Sequence, residues 1–168
     1  QKENFVDNEL KELFSIGEQV QTDPILSKVF EEKPEHIIKN LKKYPSLLSQ
    51  LQEHAETFGF LNMYTYEGDP LTLGDVVTRI KEALEQDCSK KMKEIEEEIL
   101  GSENRFRAII QELKLSDDTV KLIELAQEYL YLRLYRLDVL NIAGFQVRRL
   151  LEEIAHRMNL TYEEIIYL

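Results

Sequence analysis

DDTVKLIELAQEYLYLRLYRLDVLNIAGFQVRRLLEEIAHRM, residues 117 to 158, decides the fold class. It contains no proline and one glycine, Gly144. Ile123, Ala126, Leu130, Arg133, Leu137, Leu140, Gly144, Val147, Leu151, Ile154 and Met158 recur at steps of three and four, the spacing of one face of a helix. The pattern predicts a single helix of roughly 40 residues, about 60 Å long at the usual rise, which exceeds the width of a compact domain of this size. Such a rod is either an axle for the other helices or reaches towards something outside the chain.

The flanking segments are helical as well. Thr161 and Glu164 stand at capping-box spacing and open a final helix over 161–168, cut off at Leu168. Upstream, Ser102 is expected to cap SENRFRAIIQELKL, whose Phe106, Ile109, Ile110 and Leu113 share a face, with Gly101 as the stop of the preceding element. That element is expected to run from the capping pair Thr72 and Asp75 towards Leu100. Val76, Ile80, Ala83 and Leu84 face inwards, and the charged run KKMKEIEEE forms a projecting, solvated surface. Asp23-Pro24, Pro34 and Pro45 each open a short helix, because proline at the first helical turn loses no hydrogen bond. A first helix precedes them, from Asn8 to about Val20.

These pieces make one all-α domain over residues 1–168, an irregular helical bundle packed around one long C-terminal helix. It comprises short helices over 1–58, a glycine-rich loop over 59–71, long helices over 72–158 and the terminal helix. The loop is compositionally odd. FGFLNMYTYEGDPLTLGDV, residues 58–76, collects Gly59, Gly68 and Gly74, half of the six glycines in the chain, together with Tyr64, Tyr66 and Pro70. Gly59 and Gly68 are expected to let the chain leave one helix and turn, which would place Tyr64, Tyr66 and Glu67 on a loop held by rigid helix ends.

At 168 residues, 43% hydrophobic and 32% charged, the chain can bury a core and fold as one unit. A formal charge of -11 opposes binding to nucleic acid, which takes its affinity from clustered lysine and arginine. No apolar run approaches the roughly 20 residues of a membrane helix, and the start lacks a signal-peptide core. One cysteine, Cys88, expected on a helix surface among charges, cannot form an internal disulfide and fits a reducing cytoplasm. A first residue of Gln rather than Met suggests a piece of something longer.

Catalytic signatures are missing. His36, His54 and His156 lack metal-ligand spacing, and there is no phosphate-binding glycine loop or G-x-S-x-G elbow, so neither a catalytic nor a metal set is assigned. His54 precedes the loop on the same helix and is a candidate to point into what the loop encloses. Arg133 sits on the inward face of the long helix with Arg136 one turn on and Tyr129, Tyr131 and Tyr135 around them. A buried guanidinium needs an anion. Either Glu124, Glu128, Asp138 or an acid from a packing helix supplies it, or the patch faces a ligand or a neighbouring domain. The candidate binding set is therefore His54, Tyr64, Tyr66, Glu67, Arg133 and Arg136.

The order of four segments carries a resemblance. H-x-x-x-F-G-F at His54 to Phe60 is followed by Y-x-Y-E-G-D-P-L-T-L-x-D at Tyr64 to Asp75, then LSDDTVKLIELAQEYLYLRLYRLDVL from Leu115, then LLEEIAHRMNLTYEEIIYL ending at Leu168. Together they resemble the helical region of phosphoenolpyruvate-utilising phosphotransferases, proteins similar to phosphoenolpyruvate synthase and pyruvate phosphate dikinase, especially their shorter, divergent relatives. The match covers roughly residues 50 to 168. It implies a cytoplasmic parent enzyme that uses ATP and Mg, in which helical segments join a nucleotide-binding domain to a swivelling phosphohistidine domain. Neither the glycine-rich, histidine-bearing phosphoacceptor motif nor an ATP-grasp core occurs in these residues, so no cofactor is assigned to them and catalysis by them alone is not expected. The other reading, from the residues without the resemblance, is a non-catalytic helical module that binds a protein partner.

Overall fold

A computed structural model describes residues 4–168; Gln1, Lys2 and Glu3 lie outside the described residues, and the part of the 1–58 reading that falls on them is not addressed. The described chain is all-α. In order come α1 (Phe5–Thr22), α2 (Pro24–Phe30), α3 (Pro34–Leu41), α4 (Pro45–Phe58), a 3-10 turn (Gly59–Asn62), α5 (Leu73–Ala83), α6 (Cys88–Leu113), α7 (Asp117–Met158) and α8 (Tyr162–Ile166). Strand-like pairing among the described residues is confined to one isolated bridge, Tyr64 with Glu67.

Most starts follow the capping chemistry. Asp23 accepts from the Ile25 and Leu26 amides ahead of Pro24, and prolines open α3 and α4. Both predicted capping boxes form, Thr72 with Asp75 and Thr161 with Glu164. The Thr72 hydroxyl and amide donate to the Asp75 carboxylate, which holds its pKa below the usual value. The long rod is unbroken: α7 runs 42 residues from its Ser116 cap to Asn159, which takes a left-handed φ of 58°.

Three expectations fail, each through a contact remote in sequence or a competing local preference. The helix predicted from Thr72 towards Leu100 breaks after Ala83. Asp87 caps a new helix, and the Gln21 side chain of α1 closes the turn by donating to the carbonyls of Leu84 and Gln86 and accepting from the Cys88 amide. Gly101 does not stop a helix and Ser102 does not cap one: α6 passes through both, and the Ser102 hydroxyl donates back to the Ile99 carbonyl at 2.8 Å. A mid-helix glycine costs only about 1 kcal/mol against alanine. The stop lies instead at Lys114, in left-handed geometry. Cys88 is fully buried rather than surface-exposed, and burial raises its thiol pKa, helped by Asp87 and Glu18.

The hydrophobic core lies in the first half of the chain. Leu13, Ile16 and Val20 of α1 meet Ile37 and Leu41 of α3, Leu47 and Leu51 of α4, and Val76, Val77 and Ile80 of α5, with Phe30 and Cys88 buried in the same cluster. No α7 residue belongs to this cluster. The long helix lies outside the core, joined to the body through the 3-10 turn and the loop after it. Its predicted inward stripe is largely uncovered, since Leu130, Leu140, Val147, Ile154 and Met158 are all exposed.

One polar cluster is built into the core. Glu9 of α1 is 1% exposed and receives both guanidinium nitrogens of Arg79 from α5, at 2.7 and 2.8 Å. His54 of α4, fully buried, places Nε2 3.1 Å from Glu9 and Nδ1 3.1 Å from Glu12. Three helices are thus tied by one buried carboxylate. Breaking a buried pair leaves an uncompensated charge, a cost of about 3–5 kcal/mol. Arg79→Leu is expected to destabilise the chain by about 3 kcal/mol, because Arg79 is one-third exposed and Glu9 retains His54. Urea denaturation checks this, and a loss below about 1 kcal/mol would show that Glu9 is not held as a paired carboxylate.

Candidate functional site

Two of the segments that carry the resemblance, 64–75 and 150–168, meet at one place, the junction of loop 63–72 with α7 and with α8. The loop begins as a tight turn in which Tyr64 and Glu67 exchange backbone hydrogen bonds, both 3.0 Å. Thr65 inside it has φ 56° and Gly68 has φ 82°. Left-handed backbone costs a β-branched residue roughly 1–2 kcal/mol, so the surroundings must hold Thr65 there. They do so through α7. The Thr65 amide donates to Asn141 Oδ1 at 2.6 Å, and the Thr65 carbonyl oxygen occupies the space that a Cβ on residue 144 would need. Gly144 is therefore the contact point for a loop.

Arg148, one turn beyond Gly144, gathers the rest. Its guanidinium donates to the Gly68 carbonyl at 2.5 Å, to Asp69 at 2.9 Å and to Glu152 at 2.8 Å, and lies 4.4 Å over the ring of Tyr162. Tyr162 of α8 donates its hydroxyl to the Tyr66 carbonyl at 2.7 Å, and Tyr167 donates to the Glu67 carboxylate. Burial raises the Tyr162 phenol pKa, partly offset by the Arg148 cation. The hydrogen bond to Glu67, followed by that carboxylate's charge, raises the Tyr167 phenol. Asn62 and Leu71 close the loop from behind, onto Asp69 and Gly59 backbone oxygens. Gly59 itself keeps an ordinary helical φ of -53°, so of the two glycines expected to turn the chain only Gly68 takes a left-handed backbone, alongside Thr65.

Of the six candidate binding residues, Tyr64, Tyr66 and Glu67 lie together on this loop. Glu67 is engaged by Tyr167, Tyr66 through its carbonyl, and the Tyr64 ring is exposed. His54 does not join them: its two ring nitrogens face the α1 carboxylates, which leaves neither for a ligand. Arg133 and Arg136 are exposed rather than inward and form no ion pair with Glu124, Glu128, Asp138 or any other described residue. The anion-facing patch is not assembled either. Tyr131 and Tyr135 turn towards a different feature, an open cleft of about 860 Å³ between the start of α1, the outer half of α6 and α7. Phe5, Phe106, Glu124 and Asp138 share its lining, with no lysine, arginine or histidine among the described lining residues. Burial there raises the Asp138 carboxyl pKa.

Sequence reasoning missed Arg148, Asn141 and Tyr162. The available signal was Gly144 itself, the one glycine in 42 helical residues, with polar side chains three before and four after it. Among the described residues, no three His, Cys, Asp or Glu side chains are grouped as a metal site, and no helix is long and apolar enough to cross a membrane. No protein-family model, curated protein or solved structure matches the chain.

The junction generates a direct test. Gly144→Ala places a methyl group into the Thr65 carbonyl, and the loop must lift; overpacking of this kind costs about 1–3 kcal/mol. Amide exchange at Thr65 and Glu67 is expected to accelerate at least tenfold in the variant while α4 and α5 amides keep their protection. Unchanged exchange at those two amides would show that the loop does not rest on residue 144.

Proposed function

We propose that this chain is a helical scaffold of a phosphoenolpyruvate-utilising phosphotransferase, whose task is to hold a phosphohistidine domain in fixed relation to the rest of the enzyme. What carries the reading is the junction. Two of the segments that resemble the family, 64–75 and 150–168, are separated by some seventy residues, yet they meet in space through Tyr162 and Tyr167, with Gly144 and Arg148 of α7 seating the loop between them. Such an arrangement transmits orientation: α8 is fastened by its tyrosines to a loop that is fastened in turn to the core through α4 and α5. A rigid exit suits a protein that must aim a mobile unit. Nothing at the junction resembles a nucleophile with a base, and its carboxylates and arginine are engaged with one another, so its work is positional.

The natural gene product, incubated with phosphoenolpyruvate or with ATP and Mg, is expected to acquire acid-labile phosphate on a histidine outside residues 1–168. Gly144→Ala is expected to slow that transfer by about 10- to 100-fold, as misplacement of reacting groups by 1 Å does. A gene product that takes up no phosphohistidine from either donor would overturn the assignment and leave the non-catalytic interaction module.

A further inference from the structure

We propose that the uncovered side of α7 is a two-fold interface, at which a second copy of this chain docks antiparallel. At 3.6 residues per turn, Asn141, Gly144, Phe145, Arg148 and Ala155, which meet the loop, the 3-10 turn and α8, lie on one side of the helix. The opposite side carries an apolar stripe from Leu125 to Ile154, about 44 Å long. Its large apolar members are 36% to 67% exposed. Together they present roughly 800 Å² to solvent, close to the ~800 Å² per partner of a standard stable interface.

The spacing of the stripe is compatible with self-pairing. From Leu125 its members follow at steps of 4, 3, 4, 3, 1, 3, 4, 3 and 4, a series that reads the same from either end. An isologous interface requires that residue i of one copy meet j of the other while j meets i. Antiparallel pairing about the point between Val139 and Leu140 does this along the whole stripe. Leu125 faces Ile154, Tyr129 faces Leu150, and Leu132 faces Val147. The one charged member, Arg136, falls opposite Ala143, the smallest, so its stem can cross the partner helix and its head reach water. Each copy carries a formal charge of -11, so the apolar stripe must work against mutual repulsion, and salt should tighten the pair rather than loosen it.

Sedimentation of the chain at 0.15 M salt, over concentrations up to about 100 μM, is expected to show a species of twice the 19.8 kDa chain mass. It should weaken when salt is lowered to about 0.01 M, where the screening length grows to ~30 Å. Leu132→Glu with Val147→Glu brings like charges together on the proposed axis face and should raise the dissociation constant at least 100-fold. Both residues are exposed in the single chain, so helicity by circular dichroism should not change. Geometry is read by mixing Tyr129→Cys chains with Leu150→Cys chains and adding a short bismaleimide. Cross-links should form between the two variants and not within either one, because two copies of residue 129 would stand about 31 Å apart. A wild-type monomer at the highest concentration would overturn the proposal. So would a dimer that survives the double glutamate substitution, or a 129-to-129 cross-link.

Discussion

The absence of a single side chain at position 144 holds the molecule together. A long helix excluded from the core needs a place where its backbone can come against the body, and only a residue without Cβ lets the Thr65 carbonyl approach so closely. Everything around that point depends on it. The Asn141 side chain can reach the Thr65 amide only when the loop is seated, and Thr65 can remain left-handed only while that bond compensates its strain. Arg148 then closes the loop's far end and brings α8 in through the face of Tyr162.

The molecule accordingly separates into two physical regimes. Residues up to about Cys88 form an ordinary close-packed core around a buried charge network, where several helices share one interior. Beyond Cys88, the outer half of α6 and most of α7 project, stabilised by local helical hydrogen bonds, end caps and i,i+4 ion pairs such as Glu103 with Arg107 and Glu153 with Arg157. Helices this long can persist with little lateral packing because each added residue contributes its own hydrogen bond once the nucleus exists. Their apolar side chains are not needed for that, which is why so many on α7 remain available for contact.

Legibility follows the same division. Capping and proline chemistry are local, so Asp23, Pro34, Pro45, Thr72 and Thr161 announced their helices correctly, and the unbroken span from Asp117 to Met158 followed from the lack of any breaker. The break after Ala83 was not legible, because Gln21, some sixty residues earlier, completes the turn. Periodicity misdirected the α7 reading for a different reason. Apolar residues occur on nearly every side of that helix, so steps of three and four could be traced along several stripes, and the one containing Arg133 is not covered. At the site, Tyr64, Tyr66 and Glu67 were found because loop chemistry marked them. Arg148 was missed because its partners lie about eighty residues away and include a main-chain oxygen, which no side-chain pattern records.

His54 shows how the buried network bears on the proposed positional role. Apolar contact is non-directional, so faces of leucine, isoleucine and valine specify helix register less sharply than a buried ion pair does. A carboxylate that must meet both Arg79 and His54 has one satisfactory arrangement, and a slip of α4 or α5 against α1 would leave a charge buried without its partner. Phe58, whose ring lies tilted at 4.9 Å from that of His54, continues directly into Gly59 and the loop that seats on α7. The register set in the core by Glu9 is therefore carried through α4 to Gly144, and from there through Arg148 and Tyr162 to the angle at which α8 leaves the body.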